Sequence, residues 1–198
     1  MSYTETEITR QTAGMVATAL GDGWTVDTSE NFAEHRDAYM DGPDGARLAL
    51  GPIWNKPDRL EIRGVYPAGA RSVYPAPARS VITVDRHRAP DAIAREITRR
   101  LLPGYLPELA RIDERVSHDV TAYRARCKAT QRLQAAMPGL SEDRDDTPER
   151  GRATLRLPHK DHAWGDIELW HGGDTVNMSL NSLPLDLAIK IARLVANA

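Results

Sequence analysis

The stretch from Asp85 to Met137 constrains this chain most, because its apolar residues recur at helical spacing for longer than any other pattern in the sequence. Pro90 suits a first helical turn, where its missing N–H is not needed, and Asp91 suits the positive end of a helix. Ile93, Ile97 and Leu101 then share one face, and Pro103-Gly104 predicts a stop. A second helix is expected from Pro107 to Met137. Its apolar stripe runs through Leu109, Ile112, Val116, Val120, Tyr123, Cys127 and Leu133. Arg111, Asp113, Glu114, Arg115, Arg124, Arg126 and Lys128 mix both signs on the remaining faces, the pattern of a solvated surface. At the rise of an α-helix this element would be roughly 45 Å long, enough to reach beyond one domain and pair with a second copy.

Short strands precede these two central helices. Thr4 to Glu7 fits a capping box, and Ile8, Met15, Val16 and Ala19 give the face of a first helix that Gly21 ends. Trp24–Asp27 reads as a short strand. Gly42-Pro43-Asp44-Gly45 is a turn between strands at Ala38–Asp41 and Ala46–Ile53. Asn55–Asp58 is a second turn. In Arg59–Tyr66, Leu60 and Ile62 alternate with Arg59, Glu61 and Arg63, as in a half-buried antiparallel strand. Ser80–Asp85 is a β-branched run that completes the set.

After the helices, residues 138–151 are charged and rich in Pro and Gly, and read as a linker between an N-terminal domain (1–137) and a C-terminal unit (152–198). In that unit, Gly172-Gly173 separates two strands. Counting outward pairs Trp170 with Thr175, Leu169 with Val176, Glu168 with Asn177, Ile167 with Met178 and Asp166 with Ser179. Every apolar residue then meets an apolar one on a single face, so the register is self-consistent. Ala153–Leu157 adds a third strand. Leu183–Asn197 follows as a helix with one narrow polar stripe, Asp186, Lys190, Arg193 and Asn197, and is expected to be largely buried. The fold class expected is α+β: a mainly antiparallel sheet, two central helices, and a C-terminal three-stranded unit closed by a buried helix.

The formal charge of −2 on 198 residues supplies no global field that would drive the chain onto nucleic acid or anionic lipid. Arginine outnumbers lysine 22 to 4. That bias suits phosphate or carboxylate recognition, but a GC-rich genome produces it too, and the second explanation carries more weight. Cys127 is the only cysteine, so no disulfide within the chain is expected. The first residues lack the pattern of a secretory signal, and no apolar run approaches the roughly 20 residues of a membrane span. The expected setting is the cytoplasm, with no membrane and no cofactor.

Three residue groups carry candidate chemistry. Trp164, Asp166, Glu168 and Trp170 lie on one strand face, where aromatics beside carboxylates can anchor a partner or stack a ligand. The competing expectation is that the long helix, or the N-terminal sheet, packs over the two tryptophans. Arg86, Arg88, Arg95, Arg99 and Arg100 form a cluster able to track phosphates, set against a solvated face with intrahelical ion pairs. His159, Asp161 and His162, with Asp166, Glu168 and His171, have ligand chemistry but match no metal-binding spacing. No nucleophile elbow, phosphate loop or dinucleotide fingerprint occurs, so no catalytic or metal-binding residue is assigned.

Leu60-Glu-Ile-Arg-Gly-Val-Tyr-Pro67 and Ile93-Ala-Arg-Glu-Ile-Thr-Arg-Arg-Leu-Leu-Pro-Gly-Tyr105 resemble segments of uncharacterised small α+β proteins of actinobacteria and their phages or mobile elements. The resemblance covers about half the chain, implies an accessory role and transfers no site residues. The function expected is therefore a non-catalytic interaction protein with an unknown protein partner, self-associating through the 107–137 helix. The alternatives are a nucleic-acid-binding protein using the arginine cluster and a metal-dependent enzyme around His159 and His162.

Overall fold

The structure is a computed structural model that describes residues 3–27, 37–70, 73–142, 146–157 and 164–197. Among the described residues it is an α+β fold built from two antiparallel meanders and four α-helices. The chain divides into two compact units, Met1–Glu114 and Arg115–Ala198. Each runs from a helix through a meander to a second helix.

In the first unit, helix α1 (Tyr3–Leu20) leads into strands β1 (Thr25–Val26), β2 (Ala38–Asp41), β3 (Arg47–Ile53), β4 (Lys56–Gly64) and β5 (Val81–Asp85), paired in chain order. The predicted alternation holds. Leu60 and Ile62 are buried, and β4 pairs Leu60 with Val84 and Ile62 with Ile82. Met40, Leu48 and Leu50 extend the same apolar face, on which α1 and the helix after β5 pack. Helix α1 is rotated from its expected face. Thr9, Ala13, Val16 and Ala17 are buried while Ile8 and Met15 are exposed. Small residues on the inner side let a helix backbone lie close to a sheet, a preference that a pattern of large apolar residues does not reveal.

The expected break at Pro103-Gly104 does not occur. Helix α2 (Pro90–Glu96) passes through a π-helical turn (Ile97–Leu101) directly into α3 (Leu102–Ala136), with Pro107 inside. Pro103 cannot donate to the carbonyl four residues back, and its ring crowds that carbonyl. The wider π turn lies immediately before it, where the Leu102 N–H reaches the Ile97 carbonyl. Such a bulge relieves the proline conflict without ending the helix. One interrupted helix therefore replaces the two expected. Its early apolar residues, Ile93, Ile97, Leu101, Tyr105 and Leu109, are buried in the core of the first unit.

The second unit comprises the later part of α3 and strands β6 (Ser141–Glu142), β7 (Arg152–Arg156), β8 (Trp164–Trp170) and β9 (Thr175–Asn181), then α4 (Leu185–Ala196). The hairpin register is the one predicted, from Trp170 opposite Thr175 to Asp166 opposite Ser179. Ala153, Leu155, Ile167 and Leu169 are buried with Leu140, and Ala129, Leu133 and Met137 pack against them.

Three expectations need correction here. The sheet has four strands, because β6 joins β7. The segment read as a linker belongs to the unit: Leu140 is buried, and so is the Asp146 side chain. The division falls inside α3 instead, because residues 129–137 supply one wall of the C-terminal core. Finally, α4 is not buried. None of its residues is, although its polar stripe is as narrow as expected. The later part of α3 already occupies the inner face of β7 and β8, the place assigned to α4.

Candidate functional site

The outer face of the second sheet carries the predicted group. Trp164 and Trp170 stand at the two ends of β8, 46 % and 37 % exposed, with Asp166 and Glu168 between them. The expectation that a helix covers the tryptophans fails, because α3 packs on the opposite, apolar face. Strand β7 adds residues that the sequence did not single out. Arg152 lies opposite Trp170, Thr154 opposite Glu168 and Arg156 opposite Asp166. The Arg152 guanidinium sits 5.5 Å from the Trp170 ring centre and 3.3 Å from Glu168 Oε1. It therefore offers one face to the ring and an edge to the carboxylate, a preformed arrangement of cation, ring and acid. The signal that could have found it is cross-strand register, since a third strand was expected at Ala153–Leu157.

The arginine group is partly assembled. Arg88, Arg99 and Arg100 line one open cleft with Arg59, His87, Asp85 and Glu96. Glu96 gathers the cluster: Arg99 Nη2 lies 2.9 Å from Oε1, Arg100 Nη1 3.1 Å from Oε2 and Arg88 Nη1 3.6 Å from Oε1. Hydrogen bonds from Arg100 and Arg99 hold the Glu96 carboxyl below its ordinary range. Four guanidiniums face two carboxylates here, which leaves excess positive charge. Arg95 lines a second cleft with Ala19 and Asp91, which Arg99 borders as well, and Arg86 does not line the first one. Arg59 was missed because it lies on β4, far away in sequence; pairing of β4 with β5 sets it opposite Asp85.

Helix α3 contains a third feature that the sequence misassigned. Arg126, expected on a solvated face, is fully buried. Its Nη1 donates to the His171 carbonyl at 2.7 Å, and Nη2 donates to the Thr147 carbonyl at 3.1 Å and to Asp146 Oδ1 at 3.2 Å. Gly173 makes this approach feasible. A Cβ there would lie 2.9 Å from the Ala129 Cβ and 3.3 Å from the Arg126 Cα, and the residue sits at φ 79°. Asp146 Oδ2 and Arg126 Nε lack partners among the described residues. Burial pushes the Asp146 carboxyl up from its ordinary range, against the pull of Arg126. The cluster ties the helix to the hairpin tip and to Asp146-Thr147. It also fixes the end of β8: the His171 N–H still reaches the Gly151 carbonyl, while the His171 carbonyl goes to Arg126.

His159, Asp161 and His162 lie outside the described residues. Among those described, no three His, Cys, Asp or Glu side chains come together as a metal site would require, and no helix is long and apolar enough to cross a membrane. Comparison of the chain with family models, with curated proteins and with solved structures finds no match.

Proposed function

We propose that this chain is a non-catalytic interaction protein that binds a protein partner through the outer face of its second sheet. The observation that carries this reading is the exposure of Trp164 and Trp170 on either side of Asp166 and Glu168. Exposed tryptophans bordered by arginines and acids have the composition of binding hot spots, in which a few large side chains supply most of the affinity. In this reading the protein acts in the cytoplasm, and the sequence resemblance favours an accessory role in a mobile element. Capture of partners from the native host by the wild-type chain and by a Trp164→Ala/Trp170→Ala variant tests it. A hot-spot tryptophan is worth about 2 kcal/mol or more, so each truncation is expected to weaken a genuine partner roughly thirtyfold. A partner retained equally by both chains would remove this face from the account.

The arginine cleft favours a second reading, recognition of phosphate along a nucleic acid. A short labelled DNA or RNA, titrated by fluorescence anisotropy at several salt concentrations, tests this. The expected result is affinity that falls steeply with salt, is reduced in Arg99→Ala/Arg100→Ala and is little changed in Arg95→Ala, because Arg95 lines another cleft. Absence of binding at low salt would end the reading.

A further inference from the structure

Among the described residues, helix α4 and strand β9 present two apolar faces that remain largely open. On β9, Val176 and Met178 point to the same side as the buried Leu169 and Ile167 of β8, their register partners, yet each remains nearly half exposed. On α4, Leu185, Leu194 and Val195 are each about three-quarters exposed, and Leu187 and Ile189 more than two-fifths. The helix has only 12 residues. Isolated helices of this length are marginal in water, and one that is apolar around most of its circumference draws its stability from packing.

The first unit shows what such a helix ordinarily does. There the last strand, β5, is followed by α2, whose Ile93 packs in one core with Ile82 and Val84 of that strand. In the second unit the corresponding connector is Ser182–Pro184, only three residues between β9 and α4. Ser182 holds a left-handed backbone at φ 57°, a conformation that costs a non-glycine residue energy. A short, strained hinge between an open sheet face and an unpacked helix is the arrangement from which elements exchange between copies.

We propose that two copies of this chain exchange α4, each helix laying its apolar side over the Val176–Met178 face of the other copy's sheet. Three observations favour a second copy over other occupants. Seven large apolar side chains, each 41–75 % exposed, stand open on β9 and α4, a surface on the order of the several hundred Å² that each partner contributes to a standard interface. Strand β9, Thr175–Asn181, carries no charge, so a two-fold pairing sets no like charges against each other. The polar stripe of α4 holds Asp186 with Lys190 and Arg193, too balanced to seat the helix on an anionic lipid surface. This surface is distinct from the outer face that bears Trp164 and Trp170, so it stands or falls independently of the partner proposed there. It is also separate from the 107–137 helix, of which Leu109 and Ile112 are buried within the chain.

Light scattering on the full chain across a dilution series tests the exchange. The expected mass is twice 21.9 kDa. Val195→Asp, on the exposed helix where misfolding is not at issue, is expected to give monomer with unchanged circular dichroism from the rest of the chain. A short glycine insertion after Ser182 is also expected to give monomer, with α4 still protected from hydrogen exchange because a longer hinge lets it return to its own sheet. A wild-type chain that is monomeric at every concentration overturns the proposal. So does a dimer that survives removal of residues 183–198, and so does a dimer unaffected by the insertion. A monomer that co-sediments with anionic vesicles would assign the helix to lipid and overturn it equally.

Discussion

Arg126→Met is expected to destabilise the second unit by about 3–5 kcal/mol, the cost of leaving one member of a buried ion pair without the other. The substitution removes the cation beside Asp146, strips the His171 carbonyl of its donor and leaves the Thr147 carbonyl with the Arg150 N–H alone. Hydrogen exchange across β7–β9 and denaturant unfolding followed by tryptophan emission would register the loss. Its pH dependence has a definite sign. Burial already raises the Asp146 carboxyl above 3.8 in the folded chain. The folded state therefore binds this proton more tightly than the unfolded state. The resulting stabilisation is complete below the unfolded value and is lost as pH rises through the folded one. Without Arg126 the carboxyl rises further. The deficit of Arg126→Met should therefore be largest at neutral pH and shrink as pH falls through the variant's folded value to the wild type's, which itself lies above the unfolded one. A double variant, Arg126→Met/Asp146→Leu, is expected to recover most of the stability, because two apolar groups of similar volume replace a pair whose desolvation is costly. A deficit that is independent of pH, or a double variant worse than the single one, would contradict this account of the cluster.

The same residue shows where sequence reading reached its limit. Periodicity assigns a residue to a face of α3, but it does not say which other segment will meet that face. Arg126 stands between Arg124 and Lys128 and reads as solvated. Only the return of the chain at Asp146-Thr147 and at the β8–β9 tip buries it. The hairpin itself was legible to the residue, because alternation fixes register locally and a slip of one would have exposed Ile167 and Leu169. Trp164 and Trp170 were placed correctly on the outer face for the same reason, while their exposure depended on which face α3 would choose. Pro103-Gly104 misled for a related reason. The local rule was sound, but a π turn absorbed the conflict. For α4, amphipathicity correctly located the apolar side. It could not say whether that side would be covered from within the chain, because the later part of α3 competes for the same sheet.

Gly64 and Tyr105 are expected to show the strongest coupling in the first unit. A Cβ added at Gly64 would lie 2.3 Å and 2.5 Å from two carbons of the Tyr105 ring, a clash that neither strand β4 nor the buried ring can escape without shifting. The ring is fixed at its other end. The Tyr105 hydroxyl accepts the Arg47 N–H at 3.1 Å and donates to the Val65 carbonyl at 2.7 Å, with the Arg47 carbonyl alongside at 3.0 Å. One phenol thus serves the ends of both β3 and the segment after β4, and burial pushes its own ionisation up. Gly64→Ala should cost about 1–3 kcal/mol as an overpacked site. Tyr105→Ala should cost about 3–5 kcal/mol, in the range of other buried aromatic truncations. Tyr105→Phe, which keeps the ring and orphans the Arg47 N–H, should cost about 1–3 kcal/mol. The decisive measurement is the double-mutant cycle. Once the ring is gone the new methyl has space, so Gly64→Ala should be nearly neutral in the Tyr105→Ala background, giving a coupling about as large as its cost in the wild type. Strict additivity would mean that the glycine is required by the strand and not by the aromatic ring that rests on it.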